Sequence, residues 1–282
     1  MRCLDYAQHD NRYFNMITFP NAKINIGLNV VSKRDDGYHN LETIFYPVKL
    51  ADALEFVDSD EIQFSTSGIE IDGNPENNLV VKAYKLLQKD FNLPPVKLHL
   101  HKVIPFGAGL GGGSADAAFA LKMVNEYFHL KISSLKLQNY ALQIGADCPF
   151  FIENKPTFAT GIGDQFQPVN LDLSEYKILI VKPDILVSTP DAYKNVIPAK
   201  PIFNLKDIEN LPIEKWKDTI KNDFEKSVFI KYPGIENLKN ILYKMGALYA
   251  SMSGSGSAVF GVFRHLPVNS NNLIPKGIYT YR

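Results

Sequence analysis

Two periods take turns along this chain, and where each prevails decides the elements to expect. Ala22, Ile24, Ile26, Leu28 and Val30 are apolar, with Lys23, Asn25, Gly27 and Asn29 between them. A period of two predicts a strand with one face in a core. The Asp36-Gly37 pair inside Lys33–His39 marks a tight reversal, and Leu41 to Val57 then reads as one or two strands. Residues 58–76 are polar, with short strands and another Asp-Gly turn at Asp72-Gly73. The period then lengthens. Val80, Ala83, Tyr84 and Leu87 recur at helical spacing over Leu79–Asp90, and Asn78 is placed to cap the first turn. Val96 to Val103 is strand-like, Ser114 to Tyr127 is rich in Ala and Leu and predicts a helix, and Leu135–Ile144 predicts another that stops at Gly145.

Beyond Gly145 the apolar run Phe150-Phe151-Ile152 is expected to be a strand, and Thr160–Gly163 a hinge between two domains. Tyr176–Val181 reads as a buried strand. Ser188-Thr189-Pro190-Asp191 opens a helix, with a hydroxyl cap, proline at the first position and an acid in the first turn. Residues 198–212 form a connection. Helical patterns then run through Ile213–Ile220 and Glu236–Met245, and a strand pair flanks Ser253-Gly254-Ser255-Gly256-Ser257. Residues 1–15 are polar and aperiodic, and Met16 directly precedes the first patterned stretch. They are expected to be a disordered or non-native extension.

Composition narrows the class. With 282 residues, 45% apolar and 21% charged, the chain has the make-up of a soluble globular protein of one large or two ordinary domains. Thirty basic side chains balance thirty acidic ones, so no net field points to a nucleic acid or an anionic membrane. Cys3 and Cys148 show no metal or disulfide spacing, and no apolar run reaches the length of a membrane span. A reduced, cytoplasmic enzyme is the expectation.

The chemistry concentrates in Pro105-Phe106-Gly107-Ala108-Gly109-Leu110-Gly111-Gly112-Gly113-Ser114, with five glycines in seven positions. Without Cβ atoms, backbone N–H groups can converge on an anion, and the helix that follows adds its free first-turn donors. That is a phosphate cradle. A dinucleotide fold would next need a parallel strand ending in an acid, and a Walker loop would need lysine after the last glycine. Neither follows, and no His-Arg-Asp or Asp-Phe-Gly triplet occurs. His99 and His101 share a strand face but lack a third ligand, so no protein metal site is expected. Taken alone, Lys23 reads as a solvated strand residue and Asp147 as a cap or turn residue.

Ala22-Lys23-Ile24-Asn25, the glycine loop and Met252–Ser257 resemble, in order, the motifs of the GHMP small-molecule kinases. Lys33–His39 and Gly145-Ala146-Asp147-Cys148-Pro149-Phe150-Phe151 are similar to the branch that phosphorylates a cytidine diphosphate-linked methylerythritol on the non-mevalonate route to isoprenoids. The resemblance implies a two-domain α+β fold. A nucleotide domain like domain 2 of ribosomal protein S5 would span 16–160, and a ferredoxin-like domain 161–282, with the last residues returning as a strand to the first. It implies ATP with Mg²⁺, Asp147 as catalytic acid–base residue and Lys23 beside it. Pro105, Gly107 to Ser114, Asn78 and Lys102 would meet ATP, with Ser114 as a candidate magnesium contact. Asn25, Tyr38, His39, Thr189 and Tyr193 would meet the substrate, Tyr38 and Tyr193 stacking on its base. A monomer or homodimer is expected. Two alternatives stay open: a GHMP kinase for another small alcohol, and an inactive nucleotide-responsive binding module. The first leaves Tyr38, His39 and Tyr193 idle, and the second is expected to have lost Lys23 or Asp147.

Overall fold

The alternating stretches end up in three four-stranded sheets. The structure is a computed structural model and describes residues 16–268 and 273–282, so the 1–15 extension and Cys3 lie outside the described residues. Strands β1 (Met16–Thr18), β2 (Asn21–Lys33), β3 (His39–Ala51), β4 (Ala53–Asp58) and β5 (Gln63–Gly68) precede helix α1 (Leu79–Phe91) and strand β6 (Val96–Lys102). Helices α2 (Gly112–Tyr127), α3 (Ser134–Ile144) and α4 (Phe150–Glu153) come next, then strands β7 (Thr157–Thr160), β8 (Gln165–Pro168) and β9 (Lys177–Lys182). The last part carries α5 (Thr189–Tyr193), α6 (Trp216–Thr219), α7 (Glu225–Lys231), α8 (Pro233–Lys244), β10 (Tyr249–Met252), β11 (Val259–Phe263) and β12 (Tyr279–Tyr281).

One sheet has the order β1-β4-β6-β5, with β5 parallel to β6 and its other pairs antiparallel. The others, β2-β3-β7-β8 and β10-β11-β9-β12, are antiparallel throughout. Helix α1 is set locally. Asn78 accepts from the Val80 N–H, and Asn92 closes the helix at φ +51°. Its buried Val80, Ala83, Tyr84 and Leu87 share one core with Leu98 and Leu100 of β6 and Leu121 and Val124 of α2. Each of the Val and Leu side chains among them, taken from water, contributes about 1.5–3 kcal/mol. Helices α7 and α8 cover the third sheet through Val228, Ile235, Leu238 and Leu242.

Strand β2 departs from its expected half-exposed state. Lys23 and Asn25 are 3% and 2% exposed, because β2 has a layer on both sides. Ala22, Ile24 and Ile26 share a core with Ile180, Trp216 and Phe260 of the C-terminal half, and Leu28 and Val30 enter the core beneath α7 and α8. The polar face lies under the glycine loop, whose Leu110 carbonyl accepts the Lys23 N–H at 2.9 Å.

Other expectations shift too. Phe150-Phe151-Ile152 is a helical turn beside α2 and α3 rather than a strand, since a short, fully buried apolar run fits either period. Residues 160–163 lie at the turn of the β7–β8 hairpin, with Gly163 N–H donating to Thr160 at 3.1 Å, so the strand after it stays in the sheet of β2, β3 and β7. Helix α7 was hidden by its seven-residue length. The chain end does not add a strand to the first domain: β12 pairs with β9, and it touches that domain through the Tyr279 hydroxyl, which donates to the Val103 carbonyl at 3.2 Å, and through side-chain packing. On the outer face of β6, His99 lies between the hydroxyls of Ser65 and Ser67, each at 2.9 Å, and His101 shares Ser67. Among the described residues no three His, Cys, Asp or Glu side chains come together to hold a metal, and no helix is long and apolar enough to cross a membrane.

Candidate active site

The glycine loop joins β6 to α2 and is backed by the Gly/Ser turn between β10 and β11. Ser253 Oγ donates to the Gly109 carbonyl at 2.8 Å, and the N–H groups of Ser257 and Ala258 donate to Gly107 and Ala108 at 3.2 and 3.1 Å. Gly109 has to be glycine on two grounds. Its φ is +71°, and a Cβ there would lie 1.9 Å from the Ser253 carbonyl oxygen. Helix α2 starts at Gly112, two residues before the sequence reading, with Gly111 as a cap that offers no side-chain bond. Its first donors are therefore free for an anion. They border a recess lined by Leu79, Pro105, Phe106, the loop glycines and Ser114.

A second recess opens on the other side of the loop. Lys23, Asn25, Asp147, Thr189 and Tyr193 line it, and Gly109 and Gly111 line both recesses. At this seam the Lys23 ammonium stands 3.6 Å from the Asp147 carboxylate, the two side chains being 4% and 37% exposed. The cation is fixed and the acid faces the recess. Lys23 Nζ donates to Asn25 Oδ1 at 2.6 Å and to the Gly109 carbonyl at 3.2 Å, with the Phe45 ring 4.8 Å away. Burial lowers the pKa of Lys23 from the usual lysine value, and Asp147 acts against that shift. Asp147 owes its place to the turn after α3, where Cys148 N–H donates to the Gly145 carbonyl at 3.1 Å. Burial pushes the neighbouring Cys148 thiol up to about 11, so at neutral pH it is not a nucleophile.

The remaining expected contacts are dispersed. Asn78 spends its side-chain oxygen capping α1, with Leu79 next to it in the first recess. Lys102 borders that recess, but its ammonium pairs with the buried carboxylates of Asp52 and, at 2.7 Å, Asp116. Thr189 and Tyr193 sit at the far end of the second recess on α5. The Tyr193 ring is stacked on His39, with centroids 4.7 Å apart and planes at 25°, rather than on Tyr38. Tyr38 is 62% exposed on the turn that Asp36 closes by accepting its N–H at 3.1 Å.

Several residues on which the geometry depends were not legible. Asn222 donates to the Met252 and Gly254 carbonyls, both at 2.8 Å, and so holds the Gly/Ser turn against the loop. Thr43, Asp52 and Asp116 are buried polar groups on or beside the same elements. Isolated polar letters in apolar strands were the available signal, and it does not separate an inward polar residue from an outward one.

Comparison with known proteins bears directly on this site. Residues 78–155 match the family model for the GHMP kinases N terminal domain, and residues 205–269 match that for the GHMP kinases C terminal domain. The chain is 59% identical over 248 residues to the 4-diphosphocytidyl-2-C-methyl-D-erythritol kinase of Parabacteroides distasonis, covering 88% of this chain and 92% of that protein. The protein of the same name from Cytophaga hutchinsonii is 50% identical over 253 residues, covering 89% and 94%. A crystal structure of 4-(cytidine 5'-diphospho)-2C-methyl-D-erythritol kinase superposes with a TM-score of 0.76 at 31% identity, over 88% of this chain and 90% of the other. Homoserine kinase from Cytophaga hutchinsonii, at 15% identity and a TM-score of 0.64 over 99% and 97% of the two chains, shares the fold.

Proposed function

The chain belongs to the 4-diphosphocytidyl-2-C-methyl-D-erythritol kinases within the GHMP kinases, and from that premise we propose how it phosphorylates the 2-hydroxyl of that alcohol with ATP, on the non-mevalonate route to isoprenoid precursors. Asp147 accepts the hydroxyl proton and Lys23 is its electrostatic partner. The observation that carries this reading is the meeting of the two side chains, 3.6 Å apart, at the seam of two recesses that share Gly109 and Gly111.

The triphosphate lies on the glycine loop, where backbone N–H groups and the start of α2 meet its charge. The recess fits that role, since loop backbone, the start of α2 and the Ser114 hydroxyl line it. The substrate hydroxyl approaches from the other recess. Its oxygen bonds to the γ-phosphorus, the bond from that phosphorus to the bridging oxygen breaks, ADP leaves, and the proton passes to Asp147. Lys23 balances charge on the transferred group, and because the transition state is loose, this positioning outweighs proton removal. Magnesium accompanying ATP would supply further charge neutralisation, and the Ser114 hydroxyl would be an oxygen donor of the hard kind it takes.

Asn25 and Thr189 contact the sugar alcohol, and Tyr38, His39 and Tyr193 receive the cytosine. The His39–Tyr193 stack must part, or offer an outer face, to admit it. ATP as donor and a buried, unreactive Cys148 fit a cytoplasmic enzyme, and because one chain supplies every assigned residue, a monomer is sufficient. The test is turnover of ATP with 4-diphosphocytidyl-2-C-methyl-D-erythritol against homoserine, galactose, mevalonate and phosphomevalonate. Phosphorylation of the cytidylyl compound alone is expected, and a comparable kcat/KM on any of the others refutes the assignment.

A further inference from the structure

A chain of three hydrogen bonds runs from the Gly27 carbonyl of β2 to the Lys23 ammonium. It begins at a bulge. In the β2–β3 ladder Ile26 pairs with Ile44 and Leu28 with Thr43, which leaves Gly27 as the extra residue. Gly27 has φ +68°, and a Cβ there would come within 2.8 Å of the Ile220 and Leu205 side chains, so any other residue is strained there. Its carbonyl, out of the ladder, accepts the Thr43 hydroxyl at 2.5 Å. Thr43 is 1% exposed. A hydroxyl has one proton to donate. With that proton on Gly27, the Thr43 oxygen offers only lone pairs to Asn25, whose Nδ2 donates to it at 3.0 Å. The other end of the Asn25 amide, Oδ1, then faces Lys23 and accepts from Nζ at 2.6 Å.

Resting on the assignment of Lys23 above, we infer that Thr43 is a positioning residue for phosphoryl transfer: its hydroxyl, oriented by the Gly27 bulge, fixes which end of the Asn25 amide meets Lys23. Without that hydroxyl the amide nitrogen loses its acceptor and can turn toward Lys23, setting donor against donor. The ammonium then loses a charge-assisted bond and its fixed direction toward the seam. Asp147, from the turn after α3, is the titratable group facing Lys23; the Thr43 hydroxyl and Phe45 ring of β3 and the Gly109 carbonyl of the loop do not titrate. Loss of an accepting oxygen disfavours the charged lysine, so its deprotonation moves to lower pH.

The test sets Thr43→Val against Thr43→Ser and measures kcat and both KM values across pH. Valine keeps the shape and removes the hydroxyl, whereas serine keeps the hydroxyl. Thr43→Val is expected to lower kcat about ten- to hundredfold with the KM for ATP within about twofold, and to move the basic limb of kcat to lower pH. Thr43→Ser is expected to restore both. A valine variant with unchanged kcat and basic limb, or a serine variant no better than valine, overturns the inference. Lys23→Ala separates the two levels: wild-type turnover there refutes the lysine's role and the relay with it, while loss of turnover there beside a silent Thr43→Val refutes the relay alone. Should Thr43→Val fail to fold, neutron diffraction on the unaltered protein decides. The Asn25 amide nitrogen on Thr43 and its oxygen on Lys23 is the required arrangement, and the reverse refutes it.

Discussion

Replacing Gly109 by alanine probes the loop where its two constraints coincide. A methyl group there would sit 1.9 Å from the Ser253 carbonyl oxygen, so the loop and the Gly/Ser turn must separate by about 1.5 Å to reach ordinary contact. The left-handed φ of +71° costs an alanine about 1 kcal/mol on its own. Separation also strains the three bonds that join the segments, from Ser253, Ser257 and Ala258, each contributing about 1 kcal/mol. The total, roughly 3–4 kcal/mol, corresponds to a fall in Tm of roughly 10 °C for a chain this size. Because the Gly109 carbonyl itself accepts from Lys23 at 3.2 Å, the cradle and the cation shift together, and kcat/KM for ATP should fall about 10²-fold or more. Gly113→Ala is the matched control. Its Cβ would meet Leu79 at 3.8 Å, which is ordinary contact, and its place inside α2 favours alanine by about 0.5–1 kcal/mol. Its Tm should hold or rise. Thermal melts with ATP saturation curves on both variants decide it. A Gly109→Ala protein with wild-type Tm and KM for ATP, or equal damage from both substitutions, refutes the reasoning.

Three further outcomes are expected. Asp147→Asn should lower kcat by about 10²-fold or more while ATP still binds, and turnover near wild type would contradict its role as base. Tyr193→Ala should raise KM for the cytidylyl substrate about tenfold and leave that for ATP unchanged; equal loss of both in steady-state kinetics would argue against stacking. Burial, with Asp52 beside it, pushes Asp116 from 3.8 up to about 8 against the pull of Lys102. Between those values the folded chain keeps a proton that the unfolded chain has released, so this contribution to stability is full below about pH 4 and falls as pH rises toward about pH 8. Asp116→Asn should flatten that decline in urea midpoints taken at about pH 5 and pH 8, and parallel slopes in the two proteins would sink the idea.

Local chemistry explains what was legible. Asn78 and Ser188 cap the helices that follow them, as their side-chain types require, and the alternation of Ala22 to Val30 does mark a strand. The five-glycine turn also stood out, because few other functions need so many missing Cβ atoms in one place. What sequence could not supply was the second layer over β2. Period two says that Lys23 and Asn25 point away from Ile24, and says nothing of what covers them. Likewise, the pairing of β12 with β9, rather than with the first domain, depends on a partner almost a hundred residues away. His39 against Tyr193 is a contact of the same long-range kind.

Since β2 places alternate residues in the core of one half and against the loop of the other, neither half can be made as an independent folding unit. A fragment of the C-terminal part would expose Ile180, Trp216 and Phe260 where β2 had lain, and one of the N-terminal part would expose Ala22, Ile24 and Ile26.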